Sequence, residues 1–168
     1  MTFALTVERV FEAPSGEVFD AFTDTDAQRE WMRFPADPGS ILETECDLRV
    51  GGEWVAAWGE NRGELYRETN VFQVVDRPRR LVMATTTTSP DGSRLETTTE
   101  VSFDEHDGKT RMTVVQSGFP TAEVRDYFQT TAWAGALEAL DTYVRSRITG
   151  RPVNTSDKES NRSEEGSK

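Results

Sequence analysis

The chain has 168 residues, a length that favours a single domain, and its formal net charge is −11. This acidic balance argues against binding to nucleic acid and to anionic membrane surfaces, because both attract basic patches. Cys46 is the sole cysteine, so no internal disulfide can form, which indicates a reducing, cytoplasmic location. We find no secretory signal pattern and no apolar run near the ~20 residues of a membrane span, so we expect no membrane insertion.

The N-terminal part predicts one strand followed by two short helices. Residues 3–12 are rich in β-branched and aromatic side chains, which favours a strand. Pro14 suits the first turn of a helix. Asp24 is the expected N-cap of a second helix, which closes on Trp31. Residues 33–43 contain two prolines and a glycine and therefore indicate a loop.

Six further strands, separated by turn signals, are predicted before the C-terminal part. The clearest turn signal is Pro90-Asp91-Gly92-Ser93, which is typical of a hairpin. Residues 94–103 alternate regularly, so that Leu95, Thr97, Thr99, Val101 and Phe103 share one face. We expect the six strands at residues 44–50, 53–58, 64–75, 79–88, 94–103 and 110–117.

Residues 121–149 form the long segment of the chain that has helical periodicity. Its apolar positions recur every three or four residues: Trp133, Leu137, Leu140, Val144 and Ile148. Asp141 and Arg145 are expected on the opposite face as a favourable i,i+4 pair. At a rise of about 1.5 Å per residue, the helix would be roughly 40 Å long and would cross a small domain. The simplest arrangement is a sheet curled around this helix.

The chain therefore divides into a folded domain, residues 1–149, and a polar tail, residues 150–168. Val153 is the tail's only large aliphatic residue, so we expect the tail to be disordered. The order of strands and helices in the domain indicates an α+β class with an antiparallel sheet. A curved sheet that grips a helix tends to leave a space between the two, and such a space is a natural site for a small molecule.

Several short motifs, in a specific order, resemble those of a known family. They are Ala13-Pro14 with Val18-Phe19, Thr23-Asp24 leading to Trp31, Asp47 to Gly52, Pro78 to Val82, Gly108 to Thr113, and Gly118-Phe119. The chain resembles the START-like, helix-grip superfamily (SRPBCC) and, within it, the family of the activator of heat-shock protein 90 ATPase homologue. The resemblance implies a helix-grip fold, in which a curved antiparallel sheet of about seven strands surrounds a long C-terminal helix. It also implies a deep apolar pocket but no single activity.

Aromatic and polar side chains that are expected to face the sheet–helix space are the candidate ligand-binding residues. Pockets are mostly apolar and carry a few placed polar groups, which matches this mixture. The alternatives remain open: the aromatic side chains would equally fill a solid core, and threonine is simply a good strand former. The candidates are Trp31, Phe34, Trp54, Trp58, Tyr66, Glu68, Met83, Thr85, Thr97, Thr99, Phe119, Phe128, Trp133 and Leu137.

Glu68 is the one residue considered for a catalytic role. One alternation of its strand groups Tyr66, Glu68, Asn70, Phe72 and Val74 on one face. If that face is internal, Glu68 is a buried carboxylate and a functional candidate. The opposite face also has apolar members, so the register stays open; these are Leu65, Val71 and Val75.

The remaining chemistry of the chain is sparse. His106, the only histidine, falls in a predicted hairpin turn, so no Ser-His-Asp or Cys-His arrangement is expected around it. The sequence predicts neither a metal site nor a cofactor. The leading hypothesis is binding of an apolar or aromatic small molecule. A cofactor-independent enzyme of the cyclase or dehydratase type and a co-chaperone that acts through protein contacts are the alternatives, and a homodimer is left open.

Overall fold

The computed structural model describes residues 1–33 and 40–149 of the chain. The predicted tail and Phe34 lie outside these residues. The elements are β1 Phe3–Phe11, α1 Ser15–Thr23, α2 Thr25–Trp31, β2 Ile41–Cys46, β3 Glu53–Gly59, β4 Tyr66–Asp76, β5 Arg80–Thr88, β6 Arg94–His106, β7 Lys109–Phe119, α3 Ala122–Tyr127, a π-helical turn Phe128–Ala132 and α4 Trp133–Thr149. None of these helices combines the length and the apolar character that a membrane crossing requires.

The seven strands form one antiparallel sheet in the order β1-β7-β6-β5-β4-β3-β2. From β2 to β7, each strand pairs with the next one along the chain, as turn-connected strands do. The first strand instead pairs with the last, β7, so that β1 and β2 are the two edges of the sheet. This arrangement confirms the predicted α+β helix-grip architecture, with two short helices after the first strand.

The side chains that form the core lie on one face of the sheet, which we call the inner face. Helices α1, α2 and α4 cover it and contribute apolar side chains to one cluster. From α1, the ring of Phe19 packs edge-on against Phe103 of β6, with centroids 5.2 Å apart. Phe22 lies between Trp31 and Trp54, at 6.0 and 5.1 Å. The aromatic residues of the two short helices therefore attach those helices to the sheet.

A β-bulge interrupts the alternation of β4. Phe72 pairs with Met83, but Val74 pairs with Val82, so that Gln73 is one extra residue in the strand. The predicted face that groups Val74 with Phe72 is therefore wrong at Val74, which the bulge turns to the outer face. The positions before the bulge keep the predicted grouping on the inner face: Tyr66, Glu68, Asn70 and Phe72.

The strand predicted at residues 44–50 begins and ends earlier in the structure. β2 spans Ile41–Cys46, and the residues after it form a turn that includes an ion pair between Asp47 and Arg49, with N–O distance 2.8 Å. A Cβ atom at Gly52 would overlap the backbone oxygen of Asp47. This turn therefore requires glycine at that position because the backbone folds back on itself.

The predicted single helix over 121–149 is divided by the π-helical turn. The first part, α3 and the π-helical turn, contains no buried residue. The second part, α4, contributes Leu137, Leu140 and Val144 to the core, as the periodicity predicts. Ile148, the last apolar residue of the predicted stripe, is 42% exposed. Only the C-terminal half of the helical segment is therefore packed firmly against the core.

Asp141 lies on the buried side of α4 and not on the predicted solvent face. Its side chain is only 4% exposed. One carboxylate oxygen accepts hydrogen bonds from Nε and Nη2 of Arg9, at 3.1 and 2.8 Å, and the other accepts one from Nε of Arg145 at 3.1 Å. The predicted pair with Arg145 is confirmed, but Arg9 of β1 also binds Asp141 and allows its carboxylate to be buried.

Candidate functional site

Seven polar side chains from four neighbouring strands meet on the inner face of the sheet. We call this group the inner polar cluster: Glu68, Asn70, Thr85, Thr87, Thr97, Thr99 and Gln116. All of them except Glu68 are buried, and Glu68 is partly buried. Strand pairing aligns them, because Asn70 lies opposite Thr85 and Thr99 lies opposite Gln116. The alternation of each strand thus places one polar group beside the next.

One hydrogen-bonded chain connects β4, β5 and β6 within the cluster. The Thr85 hydroxyl donates to Oδ1 of Asn70 at 2.6 Å, and Nδ2 of Asn70 donates to Oε1 of Glu68 at 3.1 Å. Oγ1 of Thr99 lies 2.8 Å from Oγ1 of Thr85. Since a hydroxyl has one proton and Thr85 gives its proton to Asn70, Thr99 is the donor in that contact. Thr87 adds a long hydrogen bond to Oε2 of Glu68 at 3.4 Å.

A second hydrogen-bonded chain connects the cluster to the C-terminal helix. The indole N–H of Trp133 donates to Oε1 of Gln116 at 2.7 Å. Nε2 of Gln116 then donates to Oγ1 of Thr97 at 2.8 Å. Trp133, the first residue of α4, is therefore linked to β7 by a hydrogen bond, and its side chain also packs against the core.

Glu68 is the one carboxyl group of the cluster, and its hydrogen-bond partners among the described residues, Asn70 and Thr87, are neutral. Burial raises the pKa of its carboxyl group, while the hydrogen bonds from Asn70 and Thr87 work in the opposite direction. None of the ion pairs within residues 1–33 and 40–149 includes Glu68. Strand alternation places the basic residues of β4 to β7 on the outer face of the sheet: Arg67, Arg80, Arg94, Lys109 and Arg111.

Two aromatic rings lie one alternation beyond Glu68, where β3 ends and β4 begins. Trp58 of β3 pairs with Tyr66 of β4, and their rings are stacked with centroids 6.0 Å apart. This pair lies two residues along both strands from the pair formed by Ala56 and Glu68, so it occupies the same inner face. Tyr66 is 44% exposed. The rings thus border the cluster where it approaches solvent.

The predicted site residues are divided between this region and the packed core. Glu68, Thr85, Thr97 and Thr99 belong to the inner polar cluster, and Trp133 is bonded to it. Trp58 and Tyr66 border it, and Phe128 packs on Phe119 with centroids 5.2 Å apart. The remaining candidates among the described residues are buried core side chains: Trp31, Trp54, Met83, Phe119 and Leu137.

Three members of the cluster were not predicted as site residues: Asn70, Thr87 and Gln116. Gln116 was missed altogether, although it continues the inner-face alternation of Met112 and Val114 in β7. A polar residue at a position whose neighbours in the alternation are fully apolar was the available signal. Its partners, Thr97 and Trp133, come from elements distant in sequence, so the bonds themselves could not be anticipated.

Other features of the structure lie away from the cluster. His106 is 93% exposed in the hairpin between β6 and β7. Burial raises the pKa of the Cys46 thiol to about 11. Within the residues that the structure describes, no three His, Cys, Asp or Glu side chains are grouped to hold a metal ion.

A depression of about 380 Å³ lies at the edge strand β2. Four charged residues contribute to its wall, which is unlike the mostly apolar lining of small-molecule sites. It does not include a member of the inner polar cluster. Its described lining is Arg29, Leu42, Glu43, Thr44, Glu45, Val55, Ala57 and Arg67.

The sequence model of one protein family matches residues 12–145, which is more than half of the chain. The family is described as Activator of Hsp90 ATPase homolog 1-like protein. A search of curated proteins gave no significant match.

Solved structures from several bacteria share the fold. Protein Mll3558 from Rhizobium loti is 26% identical with a TM-score of 0.69, and the match covers 85% of this chain and 97% of that one. An uncharacterised protein from Rhizobium leguminosarum is 20% identical with a TM-score of 0.72, covering 86% and 95%. Protein Ms6760 from Mycobacterium smegmatis is 21% identical with a TM-score of 0.67, covering 86% and 90%.

Proposed function

The chain belongs to the family of Activator of Hsp90 ATPase homolog 1-like proteins, and we propose that it binds a small apolar or aromatic molecule between the inner face of the sheet and the C-terminal helical segment. The observation that carries this proposal is the position of the inner polar cluster. It lies on the inner face of the sheet, and the first part of the helical segment, α3 and the π-helical turn, contacts β1 and β7 but has no buried residue.

Stability alone gives no reason to place seven polar side chains on the inner face. Burying polar groups is unfavourable unless each one is hydrogen-bonded. Aliphatic residues would fill the same positions without the free-energy cost of an unsatisfied polar group. The cluster meets this condition, because within the described residues no buried side-chain polar atom lacks a partner. A satisfied polar group beside aromatic rings is the usual composition of a small-molecule site.

The test uses native mass spectrometry of protein purified gently from its expression host. We expect a discrete added mass that disappears on denaturation. The matched variants are Ala136→Trp, which fills the part-buried side of the helix facing the core, and Ala134→Trp, which adds the same ring on the exposed side. Ala134→Trp should retain the added mass and Ala136→Trp should lose it while keeping its circular dichroism spectrum.

Two results would contradict this proposal. One is a folded Ala136→Trp variant that retains the added mass. The other is a bare wild-type chain whose melting temperature and tryptophan fluorescence do not respond to apolar and aromatic probes at saturating concentration.

An enzyme that uses the same site is the second candidate, and Glu68 is the observation that favours it. Burial raises the pKa of the Glu68 carboxyl group, which makes it a better proton donor and acceptor for catalysis than an ordinary exposed glutamate. Tyr66 lies two residues away on the same strand face. On a substrate identified from the retained ligand, Glu68→Gln should lose turnover if Glu68 transfers the proton, and full turnover in that variant would remove this role.

The co-chaperone alternative follows from the family description and is tested separately. Addition of the protein to a heat-shock ATPase should raise ATP turnover if the chain acts through protein contacts. Unchanged turnover across the concentration range would argue against that role and leave ligand binding unaffected.

A further inference from the structure

Within residues 1–33 and 40–149, the hydrogen-bond partners of the Glu68 carboxylate use only part of its acceptor capacity. From the described part of the chain, its two oxygens accept one hydrogen bond each, from Asn70 at 3.1 Å and from Thr87 at 3.4 Å. An ionised carboxylate offers about four acceptor positions. Glu68 also keeps part of its surface accessible, whereas the six other members of the cluster are buried. A ligand in the proposed site can therefore donate a hydrogen bond to Glu68.

The charges around the site favour a ligand group that donates this hydrogen bond and is positively charged. A carboxylate taken out of water without a cation is unfavourable, and neutral hydrogen bonds compensate only part of the loss. On the inner face the strands carry one basic residue, Arg9, and its guanidinium is bonded to Asp141. An anionic head group would meet Glu68 without a basic partner from the described strands. A cationic head group would supply a positive charge, which the described strands do not place beside Glu68.

The stacked rings of Trp58 and Tyr66 favour the same kind of group. Faces of aromatic rings attract cations, and the attraction is strongest for tryptophan. The pair shares the inner face with Glu68 and lies one alternation further along the strands. A cation bound to Glu68 would therefore lie beside aromatic rings that also accommodate an apolar body.

From these observations we infer that the ligand of this site is an aromatic or apolar molecule that carries a protonated amine, and that the Glu68 carboxylate receives the amine. The inference rests on the proposed function. Burial raises the pKa of the Glu68 carboxyl group, and a bound ammonium group would work in the opposite direction by stabilising the ionised form.

Isothermal titration calorimetry with three probes of one ring system tests the inference. The probes are 1-naphthylmethylamine, which is cationic at neutral pH, 1-naphthalenemethanol, which is neutral, and 1-naphthoate, which is anionic. We expect the amine to bind at least about tenfold more tightly than the alcohol, since hydrogen bonds to charged groups are the stronger kind. The naphthoate should bind most weakly.

The variant Glu68→Gln keeps the size of the side chain and removes its charge. It should abolish the preference for the amine, so that amine and alcohol bind with similar affinity. Glu53→Gln, a change at an exposed position of β3, should keep the full preference. The comparison of amine and alcohol on the wild-type chain decides the inference even when Glu68→Gln does not fold.

The outcomes separate this inference from the proposed function. Equal binding of amine and alcohol, tightest binding of the naphthoate, or a preference that persists in Glu68→Gln overturns the amine inference and leaves ligand binding intact. A retained ligand whose measured formula contains no nitrogen does the same. A chain that binds none of the probes and carries no retained ligand overturns both.

Discussion

Glu68 is a carboxylate in an environment unlike that of an ordinary surface glutamate. Burial raises its pKa above the ordinary value of 4.5, and the hydrogen bonds from Asn70 and Thr87 offset part of that effect. The folded state therefore binds the proton more tightly than the unfolded chain does. As the pH rises from 4.5 through the folded-state pKa, Glu68 lowers the stability of the fold.

The stability of Glu68→Gln should consequently rise relative to wild type as the pH increases. The amide cannot ionise, so the variant avoids the cost of a buried charge at high pH. Urea unfolding between about pH 5 and about pH 9 measures the difference in the free energy of unfolding. Glu53→Gln should follow the wild-type curve. Parallel curves for wild type and Glu68→Gln would show that the pKa of Glu68 is not raised in the folded state.

Cys46 is the only thiol, and its pKa predicts low reactivity. Burial is the main cause of the increase to about 11, although a hydrogen bond with Gln28 works against it. Because the thiolate is the nucleophile, a thiol-specific disulfide reagent at pH ~8 should react at least about tenfold more slowly with the folded protein than with the unfolded chain. Absorbance of the released thiol follows the reaction. Equal rates in the two states would contradict the buried, protonated thiol.

At the level of elements, the contact between β1 and α4 depends on one buried carboxylate. Asp141 accepts two hydrogen bonds from Arg9 and one from Arg145, and its side chain is 4% exposed. The two arginines remain accessible to water at their outer ends, so the pair is only partly desolvated. The contact fixes α4 against the edge strand, close to the firmly packed half of the helix.

Replacement of Asp141 by alanine should lower the free energy of unfolding by about 2 kcal/mol, as expected for partly buried, charged hydrogen bonds. Asp20→Ala is the matched control, because Asp20 also receives two hydrogen bonds from one arginine, Arg77, and also lies in a helix. That pair is half exposed, so its loss should cost clearly less than the loss of Asp141. Denaturant unfolding measures both, and equal costs would show that burial of the pair is unimportant.

For the whole molecule, a single core joins the sheet to helices α1, α2 and α4. Phe19 and Phe22 of α1 lie against Phe103 of β6, and Leu140 of α4 belongs to the same cluster. The four tryptophans are distributed over α2, β3 and α4. A core shared in this way predicts that helices and sheet unfold together.

Thermal and urea transitions followed by tryptophan fluorescence and by far-ultraviolet circular dichroism should therefore coincide. Leu140→Ala should shift both by the same amount, about 2–5 kcal/mol, because it leaves a cavity in that core. Ile148→Ala, on the exposed end of the same helix, should cost less than about 1 kcal/mol. Separate transitions, with helix lost before the sheet, would show that α4 is an independent unit.

Local patterns in the chain were enough to predict the order and type of the elements. The strand before two short helices, the six later strands and the helix over 121–149 follow from period, capping residues and turn residues. Each of these signals lies within a few residues of its effect. The inner position of Thr97 and Thr99 was also accessible, because the alternation of residues 94–103 is regular.

The features that were not predicted depend on contacts between parts of the chain that are distant in sequence. The extra residue Gln73 has no local signature, yet it turns Val74 outward because pairing with β5 shifts at that point. Asp141 seemed a solvent-facing residue because its partner Arg9 lies 132 positions away in β1. The inner polar cluster is assembled by the register of four strands and by Trp133 above them. A sequence records the period of each element, but strand register and packing determine which side chains meet.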